Sequence, residues 1–321
     1  METIGTVLPR LHHRAESCGK VILFGEHSVV HGYPALAAGL PRGLVLEATP
    51  LADAGAPMHL QIPAWELDLQ LDPFEDHPVA RACLEVLAHC DGPVRGWSIR
   101  GDTVLPARAG LGSSAALSVA IARLVLGQDA EASSIVDASL AGERVFHGHP
   151  SGLDSEVSTR GGLLTFVRGE GRSSVSGTPP LPLVVVASGI PRSTAAQVES
   201  VNASLKRTPS VVRPLLKALG ATVEEGLHAL RSADFRYLGQ LMTTAHEVLS
   251  ALGVSRPELD GLCADALHHG ALGAKLTGAG GGGSLIVLPD VNCGDTLVQH
   301  FRGVGLQSFL VTIHEDRQPL S

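Results

Sequence analysis

Several things are missing from this 321-residue chain, and each absence removes a class of function. No basic run is longer than a couple of residues and the formal net charge is −8, which argues against nucleic acid or an anionic membrane as the main partner. Phosphate ligands stay open, because they need only local positive groups. No apolar run approaches the roughly 18 residues of a membrane span. Met1 to Arg10 show no basic segment feeding an apolar one, so no secretory leader is expected. The five cysteines (Cys18, Cys83, Cys90, Cys263 and Cys293) include no Cys-x-x-Cys pair; they fit a reduced, cytoplasmic setting as small apolar fillers. No Gly-x-x-x-x-Gly-Lys-Ser/Thr occurs, so a P-loop is excluded. There is no internal repeat and no low-complexity tract beyond one glycine run.

What remains is a globular composition, 44% hydrophobic and 17% charged, enough for one large or two moderate domains. The organising stretch is Pro106 to Ala116, in which Gly110-Leu-Gly-Ser-Ser114 runs into a segment with apolar residues at helical spacing. This reads as a glycine loop opening a helix. The first N–H groups of that helix lack internal partners and carry partial positive charge, a natural seat for polyphosphate. The alternative is an ordinary capped helix.

Taken in order, residues 1–17 read as a polar lead-in with His12 and His13 solvated. Val21 to Phe24 reads as a buried strand flanked by Lys20, Glu26 and His27, and Gly43 to Ala48 as a second apolar segment. Residues 50–77 read as a loop with one short strand near Leu60. Helical periodicity marks 77–90 and 134–146, strand composition marks 97–100 and 161–167, and 168–180 is the best linker candidate. Beyond it come a strand (183–187), four helical segments (193–205, 211–230, 234–251 and 256–269), two strands around the run Gly278–Gly283, a helix (292–303) and a strand (307–313). That order is the ferredoxin-like pattern with inserted helices.

Both glycine loops satisfy a loose Gly-x-Gly-x-x-Gly/Ala: Gly110, Gly112, Ala115, and Gly278, Gly280, Gly283. A dinucleotide fold needs a second strand closed by an acid within about 30 residues. Asp129 and Glu131 follow a helix with no intervening strand, so that reading is disfavoured. The second loop lies between strands, as a hairpin.

Three segments together resemble the GHMP kinases: Gly19-Lys-Val-Ile-Leu-Phe-Gly-Glu-His-Ser-Val-Val-His-Gly32, Pro106-x-x-x-Gly-Leu-Gly-Ser-Ser-Ala-Ala116, and Lys275-Leu-Thr-Gly-Ala-Gly-Gly-Gly-Gly283. Their order and spacing cover almost the whole chain. The similarity is greatest to the mevalonate kinase branch, through His147-Gly-His-Pro-Ser-Gly-Leu-Asp154 with Glu143 upstream, Ile190-Pro-Arg-Ser-Thr194 and Ala251-Leu-Gly-Val254. Two positions depart from the pattern: Ser17-Cys18 stands where Ala-Pro is usual, and Ala195 where a lysine is expected.

The resemblance implies an α+β, two-domain GHMP kinase fold. Residues 1–178 would form an ATP-binding domain with a left-handed βαβ-type nucleotide loop, and 179–321 a ferredoxin-like domain. It implies ATP- and Mg²⁺-dependent phosphorylation of mevalonate to 5-phosphomevalonate. Phosphomevalonate or another small alcohol is the alternative acceptor, and a non-catalytic nucleotide-binding relative the alternative class. Pro106, Gly110, Leu111, Gly112, Ser113, Ser114 and Ala115 would hold the nucleotide, with Ser114 and Glu143 on Mg²⁺. Asp154 would serve as base or orienting group, with Lys20 keeping it ionised and stabilising the transferring group. Glu26, His27, Arg192, Thr194, Gly278, Ala279 and Gly280 would line the alcohol pocket, Arg192 gripping the carboxylate. The other histidines, including His147, His149 and the pair His268-His269, show no third partner at zinc spacing. No nucleic acid or membrane partner is expected, and a homodimer is among the states the resemblance allows.

Overall fold

The computed structural model describes residues 11–315 apart from Arg108 and His149, and for Arg42 only its backbone. The chain divides into two compact units, each assembled from separate stretches.

The first unit takes residues up to Ser17 together with 43–104 and 114–159. Its sheet draws on β1 (Arg14–Phe24), the second half of β2 (Ala35–Pro50), β3 (Met58–Ile62), β4 (Leu67–Leu71) and β5 (Trp97–Thr103). The order is β4-β3-β5-β2. β5 runs antiparallel to β2, from Leu44 opposite Thr103 to Pro50 opposite Trp97, and parallel to β3. In β3, Met58, Leu60 and Ile62 are buried while His59 and Gln61 are not, the two-residue alternation of a strand with one covered face. Four helices complete the unit: α1 (Pro78–His89), α2 (Ser113–Leu126), α3 (Ala132–His147) and α4 (Leu153–Arg160). α1 starts cleanly, with Pro78 in its first turn and His77 Nδ1 accepting from the Val79 amide at 3.2 Å. It packs against α3. α2 is buried along almost its whole length, and its alanines permit close approach on every side.

The second unit holds residues 18–42, 105–113 and 160 onward. The first half of β2 pairs with β6 (Leu163–Val167), which pairs with β7 (Gly171–Ser174). A four-stranded antiparallel sheet follows from β8 (Leu181–Ala187), β9 (Ala271–Thr277), β10 (Ser284–Pro289) and β11 (Gln307–Ile313), ordered β11-β8-β10-β9. This is the ferredoxin-like order. Between β8 and β9 run α5 (Thr194–Arg207), α6 (Pro209–Arg231), α7 (Phe235–Ala251) and α8 (Pro257–His268); α9 (Gly294–Gly303) precedes β11. α7 and α8 pack on β9, and α9 packs on β8 and β11.

Three expectations need correction. Residues 50–77 contain two paired strands, Met58 opposite Leu71 through Ile62 opposite Leu67, where one was expected. β4 carries the same alternation, Leu67, Leu69 and Leu71 against exposed Asp68 and Gln70, over only five residues, too short a run to stand out in this stretch. The linker candidate 168–180 is a hairpin arm: β7 pairs with β6, the Val175 amide donates to Leu163 O at 2.9 Å, and the Thr178 amide donates to Glu315 at 3.1 Å. Its glycine and serine content reflects an exposed edge. Residues 153–160, where no element was expected, form α4, whose polar composition offers no periodic signal. His12 and His13 are exposed as expected, but the strand beside them begins at Arg14.

Candidate functional site

Within the second unit, β1 carries Lys20 and is followed directly by Gly25, Glu26 and His27. The Lys20 amide donates to Leu111 O at 2.7 Å, which fixes the first glycine loop alongside the strand. Lys20 is buried. Two residues further on, Thr277 closes a reciprocal pair: its hydroxyl accepts from the Ile22 amide at 2.8 Å and donates to Ile22 O at 3.0 Å. β1 is thereby stitched to the end of β9, where the second glycine loop begins.

Glu26 and Lys275 form an ion pair with both side chains fully buried. Lys275 Nζ also donates to Leu276 O at 2.8 Å. Burial pushes the Glu26 carboxyl up and the Lys275 ammonium down, and each opposes the shift in the other. His246 supports this corner. Its Nδ1 accepts from the Leu276 amide at 3.2 Å, so Nε2 carries the proton and donates to Asp260 at 2.9 Å.

His27 has a strained backbone, with φ 60° and ψ −43°. Its Nε2 lies 2.9 Å from Ala279 O, and a carbonyl can only accept. Nε2 therefore carries the proton, and Nδ1 is left as a buried acceptor with no hydrogen-bond partner among the described residues. Burial lowers the His27 pKa, aided by His31 and Arg192 and opposed by the bond to Ala279.

Arg192 is wedged between the two glycine loops. A methyl group at Gly110 would overlap its guanidinium, and one at Gly278 would stand 2.7 Å from Nη1. Both glycines also have φ near +80°, so each is required twice, for conformation and for space. Arg192 Nη1 lies 3.5 Å from Thr277 O. The run 278–283 is fastened along its length: the Gly281 amide donates to Val254 O at 2.8 Å, the Gly283 amide to Ile190 O at 2.9 Å, and the Ser284 hydroxyl to Ala109 O at 2.8 Å. The sequence pointers Ile190–Thr194 and Ala251–Val254 thus anchor the second loop. Thr194 is exposed at the start of α5, and the helix is capped by Ser193, whose hydroxyl accepts from Ala196 at 3.3 Å.

The first unit brings together Ser114, Glu143 and His147. Glu143 and His147 share one face of α3, four residues apart. His147 Nε2 is 3.3 Å from Ser114 Oγ, in the first turn of α2, and 3.8 Å from Glu143 Oε2. Glu143 is almost fully buried. A hydroxyl and a carboxylate flanking one imidazole nitrogen are hard oxygen donors that fit Mg²⁺. Asp154 lies half-buried in the first turn of α4, where the helix dipole favours a carboxylate.

The mevalonate kinase of Aeropyrum pernix is 36% identical over 295 residues, covering 86% of this chain and 88% of its own. The chain belongs to the GHMP kinases. The family's N-terminal domain matches residues 78–162 and its C-terminal domain residues 227–291. The mouse (Mus musculus) mevalonate kinase is 34% identical, covering 84% of each chain. Among solved structures, the L. major mevalonate kinase in complex with R-mevalonate superimposes with a TM-score of 0.82 at 29% identity, over 95% of this chain and 97% of that one. As a GHMP kinase the chain uses ATP. Among its described residues no helix is long and apolar enough to cross a membrane.

Sequence reasoning passed over Lys275, Thr277 and His246 as site residues. Lys275 and Thr277 are polar side chains in a strand whose last five residues are all buried; the usable sequence signal was two polar residues in an otherwise apolar strand running into the glycine loop. It also set aside His269 for want of a third partner, whereas the fold brings His300 and Asp265 to it.

Proposed function

We propose that this GHMP kinase transfers the γ-phosphoryl group of ATP to the primary hydroxyl of mevalonate, giving 5-phosphomevalonate. The observation that carries the reading is Arg192 held between the two glycine loops, with His27 bound to the second loop and offering a free Nδ1. Mevalonate presents a carboxylate, a tertiary hydroxyl and a primary hydroxyl. Arg192 supplies a planar cation for the carboxylate, and His27 Nδ1 accepts from a hydroxyl. Thr194, Gly278, Ala279 and Gly280 complete the acceptor side, and Glu26, fully buried against Lys275, backs it rather than facing the substrate. The mevalonate kinases that resemble the chain support the same acceptor.

On the donor side, Pro106, Gly110, Leu111, Gly112, Ser113, Ser114 and Ala115 cradle the triphosphate with backbone N–H groups at the mouth of α2. Ser114 and Glu143 would hold Mg²⁺, which neutralises phosphate charge when bound. Asp154 orients the primary hydroxyl and takes its proton as the new O–P bond forms and the bond to the leaving ADP breaks. Lys20 stabilises charge on the transferring group. The transition state is loose, so orientation outweighs proton removal. Functionally, residues 1–178 serve as the ATP-binding domain and 179–321 as its ferredoxin-like partner, working in the cytoplasm.

Product analysis tests the proposal. Incubation with Mg²⁺-ATP and mevalonate should give a phosphomonoester on the primary hydroxyl, identified by ³¹P NMR and mass spectrometry. ATP consumption without that product would overturn the acceptor assignment.

A further inference from the structure

We propose that the second unit carries a binding site for a divalent transition ion of the Zn²⁺ class, built from Asp265, His269 and His300 and separate from the nucleotide machinery. One ligand atom from each of the three lies within 4.8 Å of the other two, the one such group among the described residues. Asp265 and His269 stand four residues apart at the C-terminal end of α8, and His300 comes from the last turn of α9. His269 Nδ1 is 3.2 Å from Asp265 Oδ1, and His300 Nε2 is 2.6 Å from Asp265 Oδ2. The two imidazoles stack, with centroids 3.7 Å apart and planes at 23°. Both present a nitrogen to the same carboxylate.

The spacing suits a metal. Zn²⁺ bonds to imidazole nitrogen and carboxylate oxygen are about 2.0–2.2 Å, which sets neighbouring donors in a tetrahedron roughly 3.3 Å apart. The His269 Nδ1–Asp265 Oδ1 separation is already close to this, whereas His300 faces the other oxygen, Oδ2, so the carboxylate has to turn and the His300 contact to open for the ion to enter. Two nitrogens and one carboxylate select a borderline ion over Mg²⁺, whose preference is for oxygen and water. The three side chains are 22–35% exposed, leaving a fourth position open to water. His269 Nδ1 also lies 2.9 Å from the Asp265 backbone carbonyl, and the ion has to displace that hydrogen bond.

The location separates this site from phosphoryl transfer. His269 lies just before β9, and the glycine run follows its far end. Seven extended residues span roughly 23 Å. The ion would tie α8, which packs on β9 and β10, to α9, which packs on β8 and β11. It would therefore staple two helices of the four-stranded sheet across 35 residues of sequence.

Titration of the untagged, chelator-treated protein with Co²⁺ tests this, followed by displacement with Zn²⁺. The expected result is one equivalent of Co²⁺ bound at micromolar concentration, with the visible ligand-field band of a tetrahedral site. Zn²⁺ should abolish the band and raise the melting temperature. His300→Gln and His269→Gln should each weaken binding by at least about tenfold, while His59→Gln, at another histidine–aspartate pair, should leave it unchanged. Mg²⁺-ATP turnover should be the same in all three variants. Binding only at millimolar metal, or a band retained in both His300→Gln and His269→Gln, overturns the proposal.

Discussion

At the scale of single residues, the site depends on a few side chains whose surroundings leave them little freedom. Asp154→Asn keeps the shape of the first turn of α4 but removes the carboxylate that both orients the hydroxyl and accepts its proton. It should lower kcat by about 10²–10⁴-fold with nucleotide affinity nearly unchanged, as read by steady-state kinetics and nucleotide titration. Arg192→Lys removes the planar fork while keeping the charge. Loss of a charge-assisted pair worth about 1.5–3 kcal/mol should raise the KM for the acceptor roughly ten- to a hundredfold, with the KM for ATP close to its starting value. Lys275→Met strands Glu26, fully buried beside it, and should destabilise the protein by about 3–5 kcal/mol in urea unfolding. Lys20, His27 and Ser114 could be singled out in the sequence because each stands in or just beside a short glycine-bearing segment, whereas Glu143, inside the regular helix α3, came only from the family resemblance. The pairing of Glu26 with Lys275 was not legible, because 249 residues separate them and only the fold joins them.

At the scale of elements, the two glycine loops have no room for a side chain where they close on Arg192. At Gly110 an added methyl group meets the Arg192 guanidinium and the backbone needs φ +79°. Gly110→Ala should therefore cost about 1–2 kcal/mol in stability from the left-handed conformation alone and should impair both substrates, since the residue belongs to one loop and touches the group that serves the other. A rise in the KM values for both ATP and acceptor checks this; a change confined to ATP would contradict the placement of Arg192. The helices from α5 to α9 could be read from apolar periodicity, and β11 from its composition. β7 and α4 could not, because they are short and mostly polar, and β4 could not, because five residues are too few for their alternation to stand out within a polar stretch. The hairpin nature of the second loop was legible because buried strands bound it on both sides.

At the scale of the whole molecule, ionisation links stability to pH. Burial lowers the pKa values of His27, His31 and His246 in the folded protein. The unfolded chain then binds more protons than the folded one in mild acid. The stability these neutral histidines contribute is fully present above the ordinary value of about 6.5 and is lost as the pH falls through their lowered values. His246 faces Asp260, Cys263, Lys275 and Glu247, and only its neutral form can accept from the Leu276 amide. The urea midpoint should drop between about pH 7.5 and pH 5.5, and the drop should be smaller in His246→Gln. The raised Glu26 carboxyl acts in the opposite direction, so the comparison with the variant isolates the histidine. The overall architecture was legible from the order of three motifs and from the ferredoxin-like succession of elements. The assembly of each unit from separate stretches was not, because no local pattern marks where a strand such as β2 passes from one to the other.

The specificity of the enzyme lies in its choice of acceptor. The direct measurement is kcat/KM by coupled ADP release with saturating Mg²⁺-ATP, comparing mevalonate with phosphomevalonate, galactose and homoserine. Mevalonate should exceed each of the others by at least about a hundredfold, because the wrong substrate leaves a buried site's polar groups unpaired. Equal or better turnover of any of the three would contradict it.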